Sequence, residues 1–169
     1  MNTDDVLLLD EDLSAPNLRR VWGSFATGVA VVTALDDGEP IGFTCQSLVS
    51  VSLDPPLLSF CPARTSTSWP RLRTVGALCV NILAHDQHDL CRAFARTGTD
   101  KFLDVEWAPT GNGSPAVRGA MAHIDATVVG EYDAGDHTIA LARVTGVTSD
   151  EDQPPLLFFR GTFGGFSGR

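Results

Sequence analysis

Val29-Ala30-Val31-Val32-Thr33-Ala34 is a β-branched run closed by the turn residues Asp36-Asp37-Gly38-Glu39-Pro40, after which the chain resumes as strand from Ile41 to Leu53. Apolar β-branched residues on both sides of an Asp-Gly turn predict a β-hairpin. Outward from it, β signals dominate. Pro55-Pro56 breaks the chain, and Leu57-Leu58-Ser59-Phe60-Cys61 reads as the next strand. Ala77-Leu78-Cys79-Val80-Asn81-Ile82-Leu83 is a continuous run of the kind buried on both faces. Residues 123–132 and 137–147 form a second hairpin about the turn Asp133-Ala134-Gly135-Asp136, and Pro155-Leu156-Leu157-Phe158-Phe159 is the last strand.

Helical spacing occurs in three short places. Leu18, Val21, Trp22 and Phe25 share one face of a first helix, with Ser14 or Asn17 as its cap and Thr27-Gly28 at its end. Residues 66–75 place Trp69, Leu72 and Val75 together, with Pro70 in the first turn. Residues 86–96 turn Leu90, Cys91 and Phe94 inward. Residues 97–119 read as one long connection anchored by Trp107, and long connections in compact domains are often functional. About seven strands in hairpins with three helical decorations predict a mainly β protein, an antiparallel barrel rather than a doubly wound sheet.

At 169 residues, 43% hydrophobic and 20% charged, the chain suits one globular domain over residues 14–169. Residues 1–13, with Asp4, Asp5, Asp10, Glu11 and Asp12, read as a weakly ordered acidic arm without the basic start of a secretory signal. The net charge of -9 and the lack of a basic stripe argue against a nucleic-acid partner. No apolar run reaches the roughly 18 residues of a membrane span. Cys45, Cys61, Cys79 and Cys91 lie apart in apolar stretches, as reduced thiols of a cytoplasmic protein do.

Three motifs carry no chemistry. Gly111-Asn112-Gly113-Ser114-Pro115-Ala116 has the letters of a dinucleotide fingerprint, but Pro115 interrupts it and no helix follows to receive a pyrophosphate. His85, His88 and Cys91 have loosely metal-like spacing without a second ligand pair, so no metal is expected. There is no G-x-S-x-G elbow.

Two stretches do point to a ligand. Residues 42–56 carry small hydroxyl and amide side chains at alternating positions with no Lys, Arg or Glu, and so predict an uncharged hydrogen-bonding face. Cys61-Pro62-Ala63-Arg64-Thr65-Ser66-Thr67-Ser68-Trp69 gathers hydroxyls and a guanidinium before a helix, as a phosphate site does, although N-capping by Ser66 or Ser68 explains part of it. His137, after the Gly135-Asp136 turn, is not required by turn geometry, and Phe158-Phe159-Arg160-Gly161 closes the last strand with aromatics flanking an arginine.

The chain resembles the short-chain flavin reductases of the FMN-binding split-barrel class, the reductase components of two-component flavin-dependent monooxygenases. The likeness runs from about Leu18 to Gly164 through Phe25-Ala26-Thr27-Gly28-Val29, Gln46-Ser47, Ser50-Val51-Ser52-Leu53-Asp54-Pro55-Pro56, Ser68-Trp69, Val80-Asn81-Ile82-Leu83, Asp100-Lys101-Phe102, Gly135-Asp136-His137-Thr138 and Pro155-Leu156-Leu157-Phe158-Phe159-Arg160-Gly161. It implies an antiparallel split β-barrel, a homodimer, non-covalent FMN or FAD, NADH or NADPH as co-substrate, and a partner monooxygenase that receives reduced flavin. Pro40, Ile41, Gly42, Phe43, Thr44, Gln46 and Ser47 would line the isoalloxazine. Cys61, Pro62, Ala63, Thr67 and Ser68 would hold the ribityl chain and phosphate, with Cys61 as a wall. His137 would act at the nicotinamide side with Phe158, Phe159, Arg160 and Gly161, and Arg92 would reach the nucleotide tail. Gln46-Ser47-Leu48 and Phe163 stand where the family usually has Asn-Ser-Phe and Tyr. The competing readings are a barrel oxidase that retains its flavin, a non-catalytic flavin- or haem-binding module, and a barrel without cofactor.

Overall fold

The computed structural model describes residues 9–150 and 152–166. Of the acidic arm, residues 1–8 lie outside the described residues. The elements in chain order are α1 (Ala15–Trp22), β1 (Thr27–Gly28), β2 (Ala30–Asp36), β3 (Glu39–Cys45), β4 (Val49–Leu53), β5 (Pro56–Phe60) and α2 (Trp69–Val75). They continue as β6 (Ala77–Ile82), α3 (His88–Ala95), β7 (Trp107–Pro109), β8 (Pro115–Val117), β9 (Ala122–Ala134), β10 (His137–Ser149), β11 (Leu156–Phe159) and β12 (Thr162–Gly165).

Asp37 and Gly38 both take positive φ, 49° and 85°, the requirement of a two-residue hairpin turn. β2 and β3 therefore pair in strict register from Asp36 opposite Glu39 to Ala30 opposite Cys45. They belong to a seven-stranded antiparallel sheet of order β3-β2-β6-β9-β10-β5-β4. The two end strands are consecutive in the chain, so residues 46–48 alone carry it from one end of the sheet to the other. That short crossing obliges the sheet to curl into a barrel, and because β3 and β4 do not pair, the barrel stays split along a seam. Phe43 of β3, Phe60 of β5 and Trp69 of α2 meet across the interior, with ring centroids 5.3 to 6.3 Å apart.

The period-two pattern of β2 places Ala30, Val32 and Ala34 in the barrel core with Leu58, Leu72, Leu78 and Val80. Val29 and Val31 face outward to a second core with Leu83, Cys91, Phe94 and Leu156, which seats α3 on the barrel's exterior. Each fully buried Val, Leu or Phe contributes about 1.5–3 kcal/mol. Gly42 is required for this seating, because a Cβ there would stand 2.8 Å from both Phe94 Cε1 and Val32 O. Gly42→Ala should therefore lower stability by about 1–3 kcal/mol. The test is a urea midpoint shift at unchanged slope; an unshifted midpoint would refute this close packing.

β6 is buried on both faces, as its composition predicts, with Leu78, Cys79, Val80 and Asn81 all fully buried. Asn81 is its polar exception. Its Nδ2 donates to Val31 O at 3.0 Å and Thr33 Oγ1 at 3.1 Å, while its Oδ1 accepts the Val117 N–H at 2.7 Å. One side chain thus ties β2, β6 and β8 together.

Five expectations are corrected. The first helix ends at Trp22, with Gly23 donating to Arg19 O, and Thr27–Gly28 is a strand pairing with β11. The apolar face of that helix is not core: Trp22 is 71% and Phe25 72% exposed, because no other element among the described residues covers it. Strand does not run unbroken from Ile41 to Leu53, since residues 46–48 make the crossing. The connection over residues 97–119 contains the β7–β8 hairpin, and the last expected strand is followed by β12, forming a separate three-stranded sheet with β1. Gly111 to Ser114 make the turn of the β7–β8 hairpin, with no helix after it. All four cysteines are free; Cys45, Cys79 and Cys91 are buried and Cys61 is half-buried. No helix of the described residues is long and apolar enough to cross a membrane.

Candidate functional site

The seam opens as a cleft of about 840 Å3. Its walls come from the end of β3 and the crossing (Phe43, Thr44, Gln46, Ser47), from the loop after β5 (Cys61, Pro62, Ala63, Thr67) and from His137 at the start of β10. Residues that sequence positions separate widely are therefore brought to one place by the barrel's closure.

Hydrogen bonds fix each wall. Ser47 Oγ accepts the Cys61 N–H at 2.7 Å and lies 3.4 Å from Cys45 Sγ, stitching the crossing to the β5 end. Thr44 Oγ1 donates to Cys91 O at 2.6 Å and so fastens β3 to α3. The loop after β5 is tied to the β9–β10 tip by Arg64 N–H donating to Asp136 O at 2.9 Å and Thr138 N–H donating to Pro62 O at 3.0 Å. These bonds hold His137 at the rim, where its Nδ1 lies 2.7 Å from Asp136 Oδ1. The His137 ring, through this bond, holds the Asp136 carboxyl below the usual range. Burial pushes the Cys45 thiol up, away from thiolate chemistry.

Lys101 stands between this cleft and a neighbouring one of about 730 Å3. Its Nζ donates to Gly42 O at 3.0 Å and to Ser68 Oγ at 3.1 Å. Desolvation lowers its pKa, and among the described residues no carboxylate pairs with it. A half-buried ammonium with neutral partners is a place for an arriving anion.

The other expected site residues are distributed more widely. Pro40, Ile41, Gly42 and Ser68 line the neighbouring cleft, with Thr67 shared between the two. Arg92 and Gly161 line a third cleft of about 480 Å3, where the Arg92 guanidinium lies 5.5 Å from the Phe163 ring centre. Phe158 packs on Phe163 at 5.3 Å, and Arg160 covers its neighbour Phe159 at 5.1 Å. These last residues belong to the small sheet, which is why one chain does not bring them into the seam. The expected row of ligand-facing hydroxyls is also shortened. Thr44 and Ser47 are engaged internally, Ser66 Oγ accepts the Trp69 N–H as a cap, and Ser50 and Ser52 lie on β4 away from the cleft.

Sequence reasoning missed Trp22, Arg96, Thr97 and Lys101 as lining residues. Lys101 had a signal, being the sole lysine of the chain. Among the described residues no group of His, Cys, Asp and Glu is arranged to hold a metal.

A family model described as a flavin reductase like domain matches residues 22–167. The chain is 41% identical over 163 residues to the reductase subunit HsaB of a flavin-dependent monooxygenase from Rhodococcus jostii, covering 96% of this chain and 84% of that one. It is 42% identical over 150 residues to a flavin reductase of Pseudomonas putida, covering 88% of each. Among solved structures, a homologue of nitrilotriacetate monooxygenase component B from Mycobacterium thermoresistibile superposes with a TM-score of 0.88 at 41% identity, over 94% of this chain and 89% of that one. An NADH:FAD oxidoreductase from Streptomyces globisporus, solved with NAD and FAD fragments, has a TM-score of 0.87 at 36% identity, over 96% and 98% of the two chains.

Proposed function

The chain belongs to the flavin reductase like family, and from that premise we propose that it reduces FMN or FAD with NADH or NADPH and supplies the reduced flavin to a partner monooxygenase. The observation that carries the site assignment is the seam cleft, walled mostly by uncharged polar and apolar groups, with Arg96 and an ammonium between neutral partners as its cations. The residues present fit a flavin. The cleft volume lies within the range of small-molecule sites, Gln46, Thr65 and Thr67 line it with polar side chains, and β3 is an end strand with an open edge. When bound, flavin itself supplies the hydride-accepting chemistry, so the protein needs no acid–base pair.

The work left to the chain is binding and orientation. Phe43, Thr44, Gln46 and Ser47 would hold the ring system, with Pro40, Ile41 and Gly42 continuing the wall. Cys61, Pro62, Ala63, Thr67 and Ser68, with Lys101, would hold the ribityl phosphate. His137, fixed by Asp136 and by the backbone bonds of its loop, would position the nicotinamide, with Arg92, Phe158, Phe159, Arg160 and Gly161 on the co-substrate side. The proposal includes a homodimer, supported by uncovered apolar side chains on β4 (Val49, Val51, Leu53) and α1, and a cytoplasmic location, supported by four free thiols.

NAD(P)H oxidation followed with each flavin tests the reading; no acceleration with any pairing would overturn it, and turnover independent of added flavin would favour a flavin-retaining oxidase. His137→Ala should lower kcat about 10- to 100-fold through misplaced co-substrate, with flavin affinity kept. Loss of flavin affinity instead would assign His137 to flavin binding.

A further inference from the structure

A groove apart from the three clefts already described is rich in arginine. Arg19 and Arg20 from the last turn of α1 and Arg160 from the β11–β12 turn line one groove of about 640 Å3 with Pro16, Gly23 and Ser24. The chain as a whole is acidic, at -9. Yet among the described residues none of these three arginines meets a carboxylate at ion-pair distance, whereas Arg64, Arg71 and Arg73 each do. Three like charges around one depression repel one another unless an anion joins them.

The clustering is held by the fold. Arg160 N–H donates to Gly23 O at 3.0 Å, and a Cβ on Gly23 would lie 3.6 Å from Arg160 Cα, so the turn rests directly on the end of the helix. Arg160 takes a φ of 47°, a left-handed conformation uncommon for a residue with a side chain. Arg20 is oriented by Asn17 Oδ1, which accepts from its Nε at 3.1 Å and its Nη2 at 2.7 Å. Complementing the helix dipole accounts for Arg19 and Arg20 near a C-terminus, but not for Arg160, which comes from a different element.

The groove also borders the seam. Trp22, one helical turn beyond Arg19, lines the seam cleft, and Arg19 acts electrostatically on Asp136, the partner of His137. Trp22 presents a largely exposed aromatic ring at the seam cleft, suited to stacking on a purine.

We propose that this groove is the subsite for the diphosphate tail of a dinucleotide whose reactive ring sits in the seam cleft. Guanidinium forks match phosphate oxygens in pairs, and Arg19, Arg20 and Arg160 supply three of them. The assignment rests on the flavin reductase reading. Both FAD and the nicotinamide co-substrate carry such a tail; FMN does not.

The variant Arg19→Gln/Arg20→Gln/Arg160→Gln, whose changes are all on exposed side chains, is compared with wild type by KM for NADH and by affinity for FAD and FMN. A rise in KM for NADH of about tenfold or more, with kcat held within about twofold, assigns the groove to the nicotinamide tail. A comparable loss of FAD affinity with FMN unchanged assigns it to FAD. Arg19→Lys/Arg20→Lys/Arg160→Lys, which keeps the charge, should recover part of either loss. Isothermal titration with inorganic pyrophosphate gives a readout independent of turnover, with binding to wild type and none to the glutamine variant. Unchanged NADH, FAD and FMN parameters together with no pyrophosphate binding would overturn the inference. A wild type that binds pyrophosphate but oxidises no NAD(P)H would count against the reductase reading while leaving the groove supported.

Discussion

Lys101→Met should weaken flavin binding by about 10- to 100-fold, which corresponds to the roughly 1.5–3 kcal/mol of a hydrogen bond to a charged group. Methionine keeps the length and the apolar stem, so the walls of the two clefts stay packed. What it removes is the ammonium held by the Gly42 carbonyl and the Ser68 hydroxyl. Among the described residues no carboxylate pairs with that ammonium, and desolvation lowers its pKa. Its removal therefore should not destabilise the fold, and binding and stability part company in this variant. A lowered lysine pKa means that the folded protein releases its proton earlier than the unfolded chain. Wild type should then gain stability relative to Lys101→Met as pH rises through the window just below 10.5. Fluorescence titration of flavin and pH-resolved urea unfolding read the two effects. Unchanged flavin affinity would remove Lys101 from the site, and a large stability loss would make it a structural strut.

The second large effect concerns the core. Asn81→Leu keeps the branched shape but leaves the Val117 N–H without its partner in a fully buried position, and it withdraws the donor from the Val31 carbonyl and from Thr33 Oγ1. The orphaned N–H costs about 1–3 kcal/mol and each lost hydrogen bond about 0.5–1.5 kcal/mol, so a loss of about 2–5 kcal/mol is expected from equilibrium unfolding. The β7–β8 hairpin should also exchange its amide protons faster, because Asn81 bonds β8 at Val117. A variant within about 1 kcal/mol of wild type would mean that water replaces the asparagine at these groups.

Much of the barrel was legible because its signals are local. The β-branched run and Asp-Gly turn at residues 29–45 specify a hairpin by themselves, and the continuous apolar run of β6 announces burial on both faces. The seven expected strands correspond to eight observed ones, because β3 and β4 read as a single run and the last is β11 of the small sheet, while β1, β7, β8 and β12 are too short to show a period. The first helix shows the limit of periodicity most clearly. Its spacing identified one apolar face, but spacing cannot say what covers that face, and among the described residues nothing does. In the seam cleft, residues 43–47 stand out in the sequence because their composition is unusual for a solvated strand, and residues 61–67 because hydroxyls and a guanidinium gather before a helix. Lys101 escaped because it lies in a connection with no period, 59 residues from its partner Gly42. The placement of residues 158–161 away from the seam depends on a long-range pairing between β1 and β11 that no local pattern encodes.

The crossing of residues 46–48 has one more consequence. A barrel that closes its sheet completely has no free edge, whereas this one keeps β3 as an open border along the seam. An open border offers main-chain groups to any extended segment, including one from another copy of the chain, and is a template for aggregation. An enzyme that hands its flavin away would return to that exposed condition in every cycle. The ammonium held on the Gly42 carbonyl places a charge on the border itself, a device that discourages strand addition. The residue proposed to receive a phosphate when ligand is present would then serve as a guard against self-association when it is absent.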